Sequence, residues 1–205
     1  MAYSDFKTID QAVSVLELTV EDIPNLFGNI APIEATDRLK QTLDETLNLA
    51  ATISTEKARS ELILTPVLLE IRRNFNNRIG YFSGSTFNVE EARGLTGACD
   101  FILSASPNQS LITAPVLTVV SAKNNDIRVG LGQCAAQMVA VQLFNARKGQ
   151  EQQVVYGAVS TGTTWRFLML EKQLVKIDLN EYLITQLNQI LGILAEPFRR
   201  YFESR

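Results

Sequence analysis

The sequence predicts a mixed α/β fold of the α+β kind, a central mixed sheet flanked by helices, and three observations carry that expectation. Apolar residues recur at helical spacing up to Ile71, alternate at strand spacing between residues 79 and 123, and return to helical spacing in the second half of the chain. An amphipathic stripe then closes the sequence as a C-terminal helix. Helices, three strands, a helix and further strands is an order that builds a sheet covered on both faces. With 205 residues and 46% hydrophobic content, the chain suits a single domain spanning 1–205 with a sizeable core.

The elements follow in order. Residues 1–33 are weakly patterned, with turns signalled at Pro24-Asn25 and Ala31-Pro32, and read as an N-terminal arm with a strand or short helix near residues 13–20. Thr36 is an N-cap candidate for a helix carrying Leu39, Leu43 and Leu47. Ser54 is the cap candidate for a second helix holding Ala58, Leu62, Val67 and Ile71. Pro66 lies inside it and is expected to kink or divide it, because proline removes a backbone donor. Strands are expected over 79–87, 97–104 and 115–123. A helix over 132–147 follows, with Cys134, Met138 and Leu143 on its apolar side. Strands over 154–160 and 164–171 join at Thr161-Gly162-Thr163, and a short strand is expected at 174–177. The last helix, from about residue 180, carries Leu183, Leu187, Ile190, Leu194, Phe198 and Tyr201.

Composition removes several kinds of chemistry. The chain has no histidine, which excludes serine–histidine and cysteine–histidine hydrolases and most zinc sites. Any hydrolysis would rest on carboxylates, lysine and a hard metal. Cys99 and Cys134 sit in apolar surroundings and read as small core residues rather than a disulfide. No apolar run approaches the roughly 20 residues of a membrane span, so no membrane partner is expected. The N-terminus lacks a basic-then-apolar leader pattern, and a cytoplasmic location is expected. A net charge of −3 counts against a surface coated in phosphate contacts. Aromatic content of 8% offers no cluster for stacking bases.

The informative stretch lies between Asp100 and Lys123. Asp100 opens the run Phe101-Ile102-Leu103, and the following strand ends in Ser121-Ala122-Lys123. Residues two apart on a strand share a face, so positions 121 and 123 reach one site together. Gln133 and Gln137, four apart on the next helix, also share a face. An aspartate at one strand end and acid-x-lysine on its neighbour would suit magnesium, which takes one or two carboxylates plus water and phosphate oxygens. Here Ser121 stands at the acid position.

With Glu61 in the preceding helix, Gly94-Leu95-Thr96-Gly97 leading into Asp100, and Gly130-Leu131-Gly132-Gln133-Cys134-Ala135-Ala136-Gln137, this pattern resembles the PD-(D/E)XK nuclease superfamily, over roughly residues 61–171. It is most similar to small uncharacterised cyanobacterial members. The resemblance implies a restriction-endonuclease-like fold. It implies Asp100 as a metal ligand, Glu61 as an auxiliary ligand, the Ala122 carbonyl as a further donor, and Lys123 orienting the attacking water or steadying phosphate charge. The metal would be magnesium or manganese, Gln133 and Gln137 would contact substrate, and nucleic acid would be the partner. The C-terminal helix stripe is most simply core packing, and its apolar Ile190–Leu194 patch also permits a homodimer seam, since nucleases of this fold often pair.

Ser121 departs from that pattern. Two unit charges about 4 Å apart in a partly buried site interact by about 4 kcal/mol, so losing one carboxylate weakens metal holding by orders of magnitude. The leading expectation is therefore a nuclease-fold protein with a degenerate metal site, non-catalytic or weakly active, that binds nucleic acid or a protein partner. An active magnesium-dependent phosphodiesterase using Glu61, Asp100 and Lys123 is the alternative. A structural or interaction protein without a nucleic-acid role is a third. Read without the resemblance, Asp100 and Lys123 make a structural ion pair, Glu61 is a solvated helix residue, and Gln133 and Gln137 line the polar side of an amphipathic helix.

Overall fold

Polar caps set the first boundaries in the computed structural model, which describes residues 1–204. The Thr8 hydroxyl accepts from the Gln11 amide, and the Gln11 side-chain carbonyl accepts from the Thr8 amide. This reciprocal box starts α1 (Ile9–Leu16), and left-handed Glu17 ends it before β1 (Thr19–Ile23). The arm thus holds both a helix and a strand, each from its own local signal.

Thr36 caps α2 (Asp37–Ile53) as expected, accepting from the Leu39 amide at 3.3 Å. Its own amide donates to the buried Glu70 carboxylate at 3.1 Å. Ser54 does not cap the next helix. It adopts a left-handed φ of 56° and terminates α2, and Thr55 takes the cap by accepting from Ala58 at 3.1 Å. From there α3 (Glu56–Arg59), a π turn at Ser60–Leu64 and α4 (Thr65–Asn74) run on continuously. Pro66 accounts for the widened turn: it has no N–H for the Leu62 carbonyl four residues back. That carbonyl accepts instead from the Thr46 hydroxyl of α2 at 2.7 Å.

The strands fall close to their expected limits: β2 (Gly80–Thr86), β3 (Ala98–Ser104), β4 (Val116–Ala122), β5 (Val154–Ser160), β6 (Thr164–Glu171) and β7 (Leu174–Asp178). Between β4 and β5, α5 (Arg128–Arg147) begins at Arg128 rather than at residue 132. Its early glycines are close-packing points, not breakers. A Cβ at Gly130 would meet the Lys123 and Val159 side chains, and one at Gly132 would collide with the Thr8 carbonyl. Near residue 180 the chain forms β8 (Tyr182–Leu183) before a short 3-10 turn and α6 (Leu187–Glu203). The early helical start is overridden because Tyr182 pairs with Trp165 and donates its hydroxyl to buried Asp178 at 2.9 Å.

One eight-stranded mixed sheet results, ordered β1-β7-β6-β5-β4-β3-β2, with β8 on β6. The pairs β2–β3 and β3–β4 are antiparallel, β4–β5 is parallel across the α5 connection, and β1 joins β7 in parallel. Helices α1 and α5 bury one face of the sheet, and α2, α4 and α6 bury the other. Central β4 is accordingly buried at every residue. Asn145 of α5 fixes its start, accepting from the Val116 amide at 2.8 Å and donating to the Val116 carbonyl at 2.7 Å.

Ile190, Leu191, Ile193, Leu194 and Phe198 are all buried within this chain. The α6 stripe is core packing, the simplest reading of it, because α6 covers the sheet opposite α5. Cys99 and Cys134 are free and buried, as expected. Among the described residues, no helix is long and apolar enough to cross a membrane.

Candidate functional site

The ends of β3, β4 and β5 and the starts of α3 and α5 meet around Lys123. Phe101 pairs with Val120, so one step further Asp100 lies across from Ser121. Asp100 is partly buried, and its Oδ2 accepts from the Ala122 amide at 2.9 Å. Burial pushes its carboxyl above the usual range, against the pull of that N–H and of the Lys123 charge.

Lys123 continues the β4–β5 ladder by donating its amide to the Ser160 carbonyl at 2.8 Å. Its side chain lies along Gly130 and is only 15% exposed. The ammonium does not pair with Asp100: among the described residues no ion pair within 4.0 Å joins the two. The carboxylate it faces is Glu56, at 3.9 Å. Burial raises the Glu56 carboxyl, the Lys123 charge lowers it, and the Asp100 charge raises it again. Asp100, Lys123 and Glu56 therefore form one electrostatic group.

Glu61 lies elsewhere. Its carboxylate pairs with Lys57 at 2.9 Å on an exposed helix surface. Ser121 is fully buried and donates its hydroxyl to Gln137 Oε1 at 2.9 Å. Gln137 is itself fully buried, and its Nε2 has no hydrogen-bond partner. Expected as a substrate contact, Gln137 instead holds the motif serine inside the core. Gln133, one turn earlier on α5, is half-buried. Asp126 is occupied at the start of α5, accepting from the Arg128 amide at 2.8 Å.

The sequence reading selected Asp100, Ser121 and Lys123, and these are brought together. It missed Glu56. The only signal there was an acid in the first turn after an N-cap, which ordinary helix chemistry explains.

This donor set does not fit a magnesium site. The residue at the motif's acid position is a neutral hydroxyl turned inward to an amide. One Asp100 oxygen is engaged by a backbone N–H, and Glu61 is held by Lys57. Among the described residues, no group of three or more His, Cys, Asp or Glu side chains could hold a metal ion. What remains is a lysine at a strand end, with carboxylates on two sides.

Compared with known proteins, the chain matches no family model and no curated sequence.

Proposed function

We propose that this protein is a restriction-endonuclease-like member of the PD-(D/E)XK group whose cleavage centre has lost its metal-holding acid, and that it binds nucleic acid at backbone phosphate without cutting it. The observation that carries the reading is the Ser121–Gln137 hydrogen bond, which fills the acid position with a buried, uncharged pair. The order of elements supports the family assignment, with a helix, a three-strand antiparallel meander, a helix and a strand parallel to the third. The joint placement of Asp100 and Lys123 at neighbouring strand ends supports it as well. Lys123 keeps the role that survives loss of the metal, a point charge facing a phosphate oxygen.

Calorimetry with magnesium and manganese, a cleavage assay, and oligonucleotide binding at several salt concentrations test this together. Expected are no Asp100-dependent heat, no cleavage, and binding whose salt dependence corresponds to roughly one or two phosphate contacts. Metal-dependent cleavage lost in Asp100→Ala and in Lys123→Ala would replace this reading with an active phosphodiesterase. Binding with no salt dependence, or none at all, would point to a protein partner.

A further inference from the structure

Glu56 holds an unusual position. It stands at the first residue of α3, directly after the left-handed Ser54 and the Thr55 cap that separate α2 from α3. From there its carboxylate reaches back over the strand ends to Lys123 at 3.9 Å, a loose ion pair, while remaining 46% exposed. Three residues on, Arg59 donates Nη1 to the Thr161 carbonyl at 2.8 Å. Thr161 follows Ser160, whose carbonyl holds the Lys123 backbone, so two cations stand at the same end of β5. The Arg59 Nε is buried and has no acceptor.

We infer that the end of β4 and β5 is an oxyanion site for a phosphate-class ligand, and that the Glu56 carboxylate occupies it in the free protein, so that ligand and Glu56 exclude one another. Both are oxyanions, and both would be met by the Lys123 ammonium. Partial burial costs the Glu56 carboxylate some of its water, although it stays nearly half exposed, and the Asp100 charge repels it. A departing Glu56 regains water, and an arriving phosphate takes over its charge interaction. The inference rests on the reading of Lys123 as the cation that faces the ligand, and adds a competitor that sets the affinity.

The test follows backbone amide shifts of the whole chain during titration with inorganic phosphate. Glu56→Gln is expected to bind phosphate about 3–5-fold more tightly than the parent, the range open to a partly exposed ion pair. Shifts should centre on residues 56, 59, 123 and 124. Glu56→Ala should move affinity the same way, and adding Lys123→Gln should abolish the gain. Equal affinity in the parent and Glu56→Gln, or no saturable shift at these amides in Glu56→Gln, overturns the inference. A parallel titration with DNA and RNA oligonucleotides separates the two readings. If phosphate follows the expected order while no oligonucleotide binds, the oxyanion site stands and the nucleic-acid reading falls. If oligonucleotides bind indifferently to Glu56 and Lys123, nucleic-acid binding stands and this site falls.

Discussion

The Ser121 hydroxyl donates to Gln137 Oε1 at 2.9 Å, with both residues fully buried. A side chain of β4, in the middle of the sheet, is thereby tied to the helix that connects β4 to β5. The same bond removes the motif position from any ligand. Removing the hydroxyl leaves a buried carboxamide without its donor, in addition to the Nε2 that already has no partner.

Ser121→Ala is therefore expected to lower stability by about 1–3 kcal/mol, the cost of stranding a buried polar group. Replacing both partners, Ser121→Ala with Gln137→Leu, should recover much of that loss, because no orphaned carboxamide remains. Urea unfolding of the two variants checks both. A loss of only a few tenths in Ser121→Ala would mean the bond contributes nothing net.

Asp100 carries a pH signature. Burial lifts its carboxyl above the ordinary 3.8, although the Ala122 N–H and Lys123 charge oppose the lift. A carboxyl with a raised folded value binds its proton more tightly in the folded state. Its contribution to stability is thus present in acid and is lost as pH rises from 3.8 through the folded value. Asp100→Asn keeps an acceptor for the Ala122 amide and removes the titration. The stability of this variant relative to the parent should rise across that interval and then level off. Denaturant midpoints from about pH 3 to pH 7 measure it. A difference that falls with rising pH would mean the ionised carboxylate is favoured by the fold.

Local chemistry made much of the fold readable. Thr36 as a cap, the alternation of β5 and β6, and the helical stripe of α6 are each decided within a few residues, and each formed close to its expected place. The errors came where a distant residue decides. Tyr182 is held in β8 by Trp165 and Asp178, so α6 starts late. Helix α5 begins four residues before its expected start, because what Gly130 and Gly132 accommodate, Lys123 and the Thr8 carbonyl, comes from elsewhere in the chain. The site divides the same way. Asp100, Ser121 and Lys123 were legible because strand spacing places them, whereas Glu56 reaches Lys123 only through the packing of α3 on the strand ends. The α6 stripe was legible as core packing because its apolar spacing lies within one helix, and the sheet covers it.

Gly132 yields a prediction whose sign is opposite to the usual one. In an exposed helix interior, glycine to alanine stabilises by about 1 kcal/mol. Here the added Cβ would strike the carbonyl of Thr8, the N-cap residue of α1, which accepts from the Ala12 amide. Gly132→Ala is expected to destabilise by about 1–3 kcal/mol, the usual range for overpacking. The damage should concentrate in the arm, so amide hydrogen exchange at Gln11 and Ala12 should accelerate more than exchange in β5. Uniform acceleration would mean that α1 does not depend on this contact.

Thr46 and Pro66 form a pair linked by a third residue. Pro66 has no N–H for the Leu62 carbonyl, and the Thr46 hydroxyl supplies a donor from α2 at 2.7 Å while also lying 2.8 Å from the Thr42 carbonyl. Thr46→Val keeps the shape and removes the donor, leaving a half-buried carbonyl short of a partner. The expected cost is about 1–2 kcal/mol. In a Pro66→Ala background the alanine N–H can close an ordinary helical bond to Leu62, so the hydroxyl has less to supply. The cost of Thr46→Val should then fall, giving a coupling of about 0.5–1 kcal/mol in a double-mutant cycle of urea unfolding. The cycle also reports on the widened turn at Ser60–Leu64, because an N–H at position 66 removes the reason for it. If the two changes add without coupling, the Thr46 hydroxyl serves only its own helix, and the proline is accommodated by some other means.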